Sequence, residues 1–286
     1  MEPSDSPAVA ISRTYYNSSD ADNFYASIWG GENIHIGLYE QENDSIAQAS
    51  HRTIQKLASL LKLHEDSRVL DIGAGYGGMA RYLVKNTGCQ VDCLNLSQVQ
   101  NQRHQQLNQL QGLTGEIRII EGNFEAIPAT EQYYDVVLSQ DAILHSGNRY
   151  QVFKEVARVL KSGGEFIFTD PMQSDHCPAH ILQPVLDRLN LDSMGSIGFY
   201  TQTAAAVGLE TIQIIEMTEQ LVRHYHHILQ ATEKHYEAIL KVCNQDYIDR
   251  MKIGLNHWIE KGQQGYLVWG ILHFRKKIMM SSSKMS

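Results

Sequence analysis

The sequence lacks the long apolar runs of a membrane protein and the paired cysteines of a secreted one. No apolar stretch approaches the roughly 20 residues that a membrane-spanning helix needs. The N-terminal segment carries acids and prolines where a signal peptide would carry basic and then apolar residues. The cysteines are scattered, without a Cys-x-x-Cys pair or zinc spacing. These absences predict a cytoplasmic protein with reduced thiols and no membrane partner.

Positive charge is also scarce, and it is not clustered. The chain has 24 Lys and Arg against 32 Asp and Glu, which gives a net charge of −8. Because nucleic-acid binding depends on clustered cations that neutralise phosphates, we expect no nucleic-acid partner. His224, His226 and His227 lie close in sequence, but their spacing fixes no metal ion. A solvated helix face is the preferred interpretation of these histidines, and we expect no metal cofactor.

What the chain does contain is an ordinary globular composition, with 43% hydrophobic residues. Strand-like and helix-like patterns alternate, which predicts an α/β fold with a parallel, doubly wound sheet. The helical stripe that includes Leu160 is expected to end at Gly163-Gly164, and the stripe from Leu221 to Ile239 is expected to be helical throughout. The predicted strands are residues 68–72, 90–96, 116–121, 134–139, 165–169, 210–217 and 266–274.

The best local signal is a glycine-rich turn between a strand and a helix. Residues 69–78 read Val-Leu-Asp-Ile-Gly-Ala-Gly-Tyr-Gly-Gly. Glycines let the backbone pass close to a ligand, and their spacing also fits the fingerprint of dinucleotide-binding proteins. Asp71 at the start of the pattern resembles instead the variant found in S-adenosylmethionine-dependent methyltransferases. We therefore predict that Asp71, Gly73 and Gly75 contact this cofactor; a turn without a ligand is the alternative.

Polar residues follow the second and third predicted strands at the edge where such sheets bind ligands. Asn95 ends the second strand and can bind a ribose hydroxyl, with Gln100 one helical turn further on. Asn123 and Phe124 follow the third strand and suit an adenine, the amide at its exocyclic amine and the ring on its face. The alternative is that Asn95 only caps a strand end and that Asn-Phe is a common turn.

Asp141 and His145 follow the fourth predicted strand. Residues four apart share one face of a helix, so both side chains are expected at the place where chemistry would occur. His145, or Asp141 through a water molecule, could accept a proton there. The alternative is that Asp141 caps the helix and His145 is merely packed.

Several longer segments carry a family resemblance that covers nearly the whole chain, from about Tyr15 to Lys276. They are residues 24–37 (Phe-Tyr-Ala-Ser-Ile-Trp-Gly-Gly-Glu-Asn-Ile-His-Ile-Gly), 71–78, 94–97, 139–148 (Ser-Gln-Asp-Ala-Ile-Leu-His-Ser-Gly-Asn), 169–172, 191–200 and 254–258 (Gly-Leu-Asn-His-Trp). With these segments the chain resembles the sarcosine/dimethylglycine N-methyltransferases, which make glycine betaine. Asn95 departs from the acid of most methyltransferases but is normal within this group.

The resemblance implies a Rossmann-like, seven-stranded methyltransferase sheet, mostly parallel with an antiparallel last strand, plus a helical lid. The expected organisation is an N-terminal lid segment (1–45), a cofactor-binding core (46–218), a helical lid insertion (219–264), the last core strand (265–277) and a disordered tail (278–286). We expect a monomer or a homodimer that acts on a small molecule.

The resemblance also implies the reaction, which is transfer of a methyl group from S-adenosylmethionine to the amine of sarcosine, dimethylglycine or both, with S-adenosylhomocysteine as the second product. By analogy with related phosphoethanolamine enzymes, Tyr15 or Tyr16 would bond His145 and hold the N-terminal lid. The substrate carboxylate is assigned to Arg223, His224 or backbone amides. Tyr225 and Trp258 are weaker aromatic candidates, since they lie on or beside apolar stripes.

The predicted site residues fall into three groups. The catalytic residues are His145, Asp141 and Tyr16. The cofactor-binding residues are Tyr15, His35, Asp71, Gly73, Gly75, Asn95, Leu96, Gln100, Asn123, Phe124 and Gln140. The substrate-binding residues are Trp29, Pro171, Met172, Tyr200 and Arg223.

Three other functions remain open at this point. A related methyltransferase acting on phosphoethanolamine or a lipid would need several cations or an extended apolar channel, and neither is evident. A catalytically silent protein that only binds S-adenosylmethionine would not need the Asp141 and His145 pair. An NAD oxidoreductase is disfavoured because a ribose-binding acid after the second strand is missing.

Overall fold

The computed structural model describes residues 7–29 and 32–278, and its centre is a seven-stranded sheet. The strands are β1 (Arg68–Ile72), β2 (Gln90–Asn95), β3 (Ile117–Glu121), β4 (Tyr134–Gln140), β5 (Leu160–Gln173), β6 (Leu209–Glu216) and β7 (Leu267–Lys276). Their order is β3-β2-β1-β4-β5-β7-β6. Strands β1 to β5 pair in parallel, whereas β7 runs antiparallel to both β5 and β6. The predicted mostly parallel sheet with an antiparallel last strand is confirmed.

Both faces of the sheet are covered by helices. Adjacent strand residues enter different apolar clusters, as Val136 and Val137 do, because side chains alternate between the two faces. Ser45 begins one of the covering helices with a full capping box, which pairs its side chain with Gln48. The helices are α1 (Pro7–Tyr16), α2 (Ser19–Ile28), α3 (Ile46–Ser59), α4 (Gly78–Thr87), α5 (Gln98–Leu110), α6 (Arg149–Val159), α7 (Gln183–Leu189), α8 (Ile197–Ala206), α9 (Thr218–Lys234), α10 (Tyr236–Ile239) and α11 (Gln245–Gln263).

The end of α6 differs from the sequence-based expectation. The helix ends at Val159, and Leu160 is already extended and paired with Tyr134 on β4. Gly163 does have a positive φ of 79°, but it lies inside β5, where the pairing with β4 shifts register. The prediction that Gly163-Gly164 ends the helix is therefore wrong. The two glycines form an irregularity in the strand. The backbone conformation at this irregularity is less strained for glycine than it would be for a residue with a side chain.

The C-terminal helices pack against the N-terminal segment instead of against the sheet alone. One apolar cluster joins Phe24 of α2 with Ile228 of α9 and Met251 of α11. The helical stripe expected from Leu221 to Ile239 is interrupted at His235, so that α9 and the single turn α10 are separate. No helix among the described ranges is long and apolar enough to cross a membrane. Of the expected terminal segments, residues 1–6 and 279–286 lie outside the described residues.

Candidate active site

The glycine-rich turn closes tightly around the end of β1. Gly73 and Gly75 have φ values of 77° and 53°, a region that disfavours other residues. The Gly73 amide donates to the carbonyl of Leu94 on β2 at 2.8 Å. A Cβ on Gly73 would lie 2.4 Å from the Cβ of Ala142, which follows β4. The turn thus lies against the ends of the two strands that neighbour β1 in the sheet.

Beside this turn lies a first cavity with about 680 Å³ of space not filled by atoms. Most of the predicted cofactor residues line it, whereas Asp71 is buried behind the wall, where burial raises its pKa to about 7. Helix α1 supplies Val9 and Ser12, which no sequence pattern indicated. The predicted residues in its wall are Tyr16, Gly73, Gly75, Asn95, Leu96, Gln100, Asn123, Phe124, Gln140, Asp141 and His145.

The polar residues at the end of β2 meet as expected. The Asn95 amide nitrogen donates to Gln100 Oε1 at 3.1 Å, and Ser97 caps α5 through the Gln100 amide. The Ser97 hydroxyl in turn donates to the backbone carbonyl of Tyr16, which fixes the end of α1 over the cavity. On β4, the side-chain nitrogen of Gln140 is buried in the cavity wall, and no described residue forms a hydrogen bond with it. An unpaired buried donor of this kind is costly unless a ligand pairs with it.

A second cavity of about 560 Å³ adjoins the first. The two share four residues, Tyr16, Ile34, Asp141 and His145, which form the junction between the cavities. Helices α2, α7, α9 and α11 supply most of the remaining wall. Two pairs of aromatic rings line it: Tyr25 and Trp29 have centroids 4.8 Å apart, and Tyr225 and Trp258 are stacked at 5.0 Å.

At this junction the Tyr16 hydroxyl lies 2.9 Å from His145 Nε2. Burial, together with the charges of Arg149 and Arg188, lowers the pKa of His145 to about 4. Burial raises the pKa of Tyr16 above its usual value. Both groups are therefore uncharged near neutral pH, and they are joined by one hydrogen bond. Of the two tyrosines considered from the sequence, Tyr16 makes this contact, whereas the Tyr15 hydroxyl lies near those of Tyr25 and Tyr247.

Asp141 connects three distant parts of the chain. Its carboxylate accepts from the Ile36 amide at 2.7 Å and from the Trp269 indole nitrogen of β7 at 2.8 Å. Its φ is 52°, so it lies outside any helix, and a short 3-10 turn (Ile143–His145) follows it. The prediction that Asp141 and His145 share a helical face is therefore wrong, although both line the same cavities. Burial raises the pKa of Asp141.

The structure places some of the predicted substrate residues in the wall of the second cavity and others in the protein core. Pro171 and Trp29 line the second cavity, and so does His35, which had been assigned to the cofactor. Met172 is fully buried in the core, away from both cavities. Tyr200 is also fully buried, and its hydroxyl donates to Asp170 at 2.6 Å.

The side chain of Arg223 lies outside both cavity walls. It donates to the Tyr39 carbonyl at 3.0 Å, and its guanidinium lies over the Tyr39 ring, 5.6 Å from the centroid. Sequence reasoning missed the arginine that does line the second cavity, Arg188 on α7. Its setting in the sequence, Leu-Asp-Arg-Leu, is that of an ordinary helix surface and carries no signal for a site.

The sheet order, the glycine turn and the two-part cavity define a class, the methyltransferases with a Rossmann-like core. Residues 70–168 match the family described as a methyltransferase domain. The sarcosine/dimethylglycine N-methyltransferase of Aphanothece halophytica is 53% identical over 92% of this chain and 95% of its own length. That of Halorhodospira halochloris is 50% identical over 95% and 98%. The chain belongs to the family of sarcosine/dimethylglycine N-methyltransferases.

A solved structure agrees with this assignment across both the core and the covering helices. The protein from Galdieria sulphuraria that was assigned as a sarcosine dimethylglycine methyltransferase superposes with a TM-score of 0.88 and is 43% identical. The match covers 93% of this chain and 100% of the other. The resemblance inferred from the sequence motifs is thereby confirmed.

Proposed function

We propose that this protein transfers a methyl group from S-adenosylmethionine to the nitrogen of sarcosine, of dimethylglycine or of both, giving dimethylglycine and glycine betaine. One observation carries the proposal for this chain. A cavity built on the glycine turn and a second cavity walled by aromatic rings share Tyr16, Asp141 and His145 as lining residues. A cofactor and a small amine can therefore meet at residues able to handle a proton.

The first cavity fits S-adenosylmethionine by its chemistry. Gly73 and Gly75 leave space where side chains would collide with Ala142 and Ile34. The unpartnered Gln140 nitrogen is a free donor, and Asn123 with Phe124 offers an amide and a ring for a base. Asn95 and Gln100 form the polar pair assigned to the ribose. When bound, the cofactor supplies a methyl group that its sulfonium has already activated; we assign no metal ion to the reaction.

The chain itself must manage the proton of the substrate. An alkyl ammonium ion has a reference pKa near 10.4, and it exposes a lone pair only after losing a proton. A buried aromatic cavity lowers that pKa, because desolvation disfavours the charged form. His145 is unprotonated near neutral pH and can accept the proton through Tyr16, whose hydroxyl gains one hydrogen as it passes another to Nε2. Dimethylglycine has no second proton to lose after this step, so orientation matters more than base strength.

The aromatic wall suits the charge that the product carries. Glycine betaine is a quaternary ammonium compound, and a cation over an aromatic face gains about 0.5–2 kcal/mol depending on how far it is desolvated. Trp29 and Tyr25 form one wall of the second cavity, and Tyr225 with Trp258 forms another. Helices α1, α2, α9 and α11, which carry much of this wall, act in our proposal as the lid over the sheet. Since glycine betaine is a compatible solute, we also propose a role in osmoprotection in the cytoplasm.

The test combines calorimetric titration of S-adenosylmethionine with a mass-spectrometric assay. Glycine, sarcosine, dimethylglycine and phosphoethanolamine are offered in separate reactions. Betaine from dimethylglycine, with glycine left unmethylated, supports the proposal. Tight cofactor binding without any methylated product indicates a silent cofactor-binding protein, and methylated phosphoethanolamine indicates the related substrate class. Absence of cofactor binding overturns the proposal as a whole.

A further inference from the structure

The second cavity contains hydrogen-bond donors that nothing in the described part of the chain satisfies. Trp29 Nε1 and His224 Nε2 are buried without a partner, on side chains that are 5% and 0% exposed. Both side chains line this cavity. Since a buried donor without an acceptor is expensive, two such donors in one cavity indicate a ligand with acceptor oxygens.

The protonation of His224 follows from its other ring nitrogen. The Gly37 amide points to His224 Nδ1 at 3.3 Å, and a backbone amide can only donate, so Nδ1 carries the lone pair. The Tyr39 hydroxyl lies 2.9 Å from the same atom. Burial holds the pKa of His224 well below its usual value, and the ring is neutral. Its one proton is therefore on Nε2, the ring nitrogen that has no partner among the described residues.

A positively charged side chain lines the same cavity as these donors. Arg188 lines the second cavity, and it has no ion-pair partner in the ranges 7–29 and 32–278. Within the described ranges, a terminal nitrogen of its guanidinium donates to Met251 Sδ at 2.6 Å, and a thioether is a weak acceptor. A partly buried guanidinium with so poor a partner retains donors for an anion.

We propose that Arg188 binds the carboxylate of the amino-acid substrate, with the Trp29 and His224 N–H groups as further donors. The inference rests on the proposed function and names the part of the substrate that the second cavity recognises. Arg188 is the one Lys or Arg among the described wall residues of the two cavities. A carboxylate at Arg188 leaves the amine free to face the shared junction of Tyr16, Asp141 and His145. The enzyme then selects amines that carry an acid over those that carry an alcohol.

The position of Arg188 depends on a glycine of α11. A Cβ on Gly254 would lie 2.0 Å from Arg188 Cδ and 2.1 Å from its Nε. A methyl group at this position must displace the arginine side chain, while the charge remains and the helix gains a better helix former. Gly254→Ala is therefore a second probe of the same contact, independent of any change at Arg188 itself.

The experiment measures dimethylglycine binding by calorimetry to protein loaded with S-adenosylhomocysteine, so that no turnover is needed. We expect Arg188→Met to weaken dimethylglycine binding about a hundredfold, because a carboxylate loses its charged partner. Arg188→Lys should recover part of the affinity, since it keeps the charge without the fork geometry. Gly254→Ala should weaken binding at least about tenfold. Arg250→Met, which alters an exposed arginine of α11, is the matched control and should bind normally.

Choline separates carboxylate recognition from general damage. It keeps a quaternary ammonium group but has an alcohol in place of the acid, and its affinity should stay within about threefold in Arg188→Met. Cofactor affinity and the unfolding temperature identify any variant that has failed to fold. Dimethylglycine affinity within about threefold of the parent in both folded Arg188→Met and Gly254→Ala overturns the inference. Arg188-dependent binding without any methylated product would keep the carboxylate site and reject the proposed function.

Discussion

At the scale of single residues, the hydrogen bond between Tyr16 and His145 is the contact that joins the N-terminal helix to the end of β4. We expect His145→Gln to lower kcat with sarcosine by about a hundredfold, the usual order for loss of a general base. Tyr16→Phe keeps the ring and removes the hydroxyl, and its effect should be of similar direction and smaller size. Steady-state kinetics with calorimetric cofactor binding test both variants.

The assignment of His145 as proton acceptor depends on how the two measurements separate. Cofactor affinity should remain within about threefold in both variants, while kcat falls. A loss of cofactor affinity with unchanged kcat would instead make the pair a structural contact. Exposed Tyr150 provides the matched Phe control.

Tyr200 lies outside the walls of the two cavities, although the sequence analysis assigns it to the substrate. Its hydroxyl donates to Asp170, whose other carboxylate oxygen accepts from the Leu144 amide in the 3-10 turn that carries His145. We expect Tyr200→Phe to lower the free energy of unfolding by about 1–3 kcal/mol, since a fully buried carboxylate loses a donor. Chemical denaturation measures this loss.

The same variant distinguishes a positioning residue from a substrate contact. Because Tyr200 lies outside both cavity walls, Tyr200→Phe should leave the KM for dimethylglycine nearly unchanged. A large rise in KM with normal stability would return Tyr200 to the substrate site. Tyr150→Phe is again the control for stability.

At the scale of elements, one carboxylate of α2 bonds to both the glycine turn and α5. Asp22 accepts from the Tyr76 hydroxyl at 2.6 Å and from Arg103 at 2.6 Å. Helix α1, which precedes it, supplies Val9 and Ser12 to the first cavity. A hydrogen bond to a charged group contributes about 1.5–3 kcal/mol, and in our interpretation part of this stabilises α1 and α2 in their positions beside the first cavity. We therefore expect Asp22→Asn to weaken cofactor binding about threefold to tenfold.

Calorimetric titration of S-adenosylmethionine tests the attachment of α2. Asp249→Asn, an exposed position on α11, serves as the control and should bind like the parent. Unchanged affinity in Asp22→Asn would show that α1 and α2 stay in place without this contact.

The elements also show which parts of the site could be predicted from the sequence. Much of the first cavity is built from residues at or just after the ends of strands, such as Asn95, Asn123 and Asp141, so a strand pattern plus a polar residue predicts them. The second cavity depends on how α7, α9 and α11 dock against α2, and no local periodicity encodes that arrangement. Arg188 therefore reads as a surface residue, although its neighbour across the cavity wall is Gly254.

At the scale of the whole molecule, buried histidines link stability to pH. The clearest case outside the cavities is His104, which is fully buried beneath Gly77, and neither ring nitrogen is paired within the part of the chain that the structure describes. Burial, with the charge of Arg81, lowers its pKa to about 3. The unfolded chain binds a proton at His104 near pH 6.5, whereas the folded one does not. The stabilising contribution of the neutral ring is therefore complete above pH 6.5 and declines as the pH falls towards 3.

Replacing His104 by Leu should remove this sensitivity. Each pH unit below 6.5 lowers the free energy of unfolding by about 1.4 kcal/mol for each histidine that is buried in its neutral form. Between pH 7 and pH 5, we therefore expect a decrease in the free energy of unfolding that is smaller in His104→Leu than in the parent, by about 1–2 kcal/mol. Urea denaturation at the two pH values measures the difference. His226→Gln changes an exposed ring and should behave like the parent. An equal loss in all three proteins would contradict the assignment.

The place of β7 between β5 and β6 has a consequence for biosynthesis. Strand β6 is synthesised before β7, although β7 is its partner in the sheet. The edge of β6 that pairs with β7 therefore stays unpaired until β7 has been synthesised. At about 5–20 residues per second this wait lasts seconds, which is long compared with the folding of local elements. Trp269, which fixes Asp141, arrives with β7. The nascent chain can therefore build its glycine turn early, but its catalytic junction only after β7 has been translated.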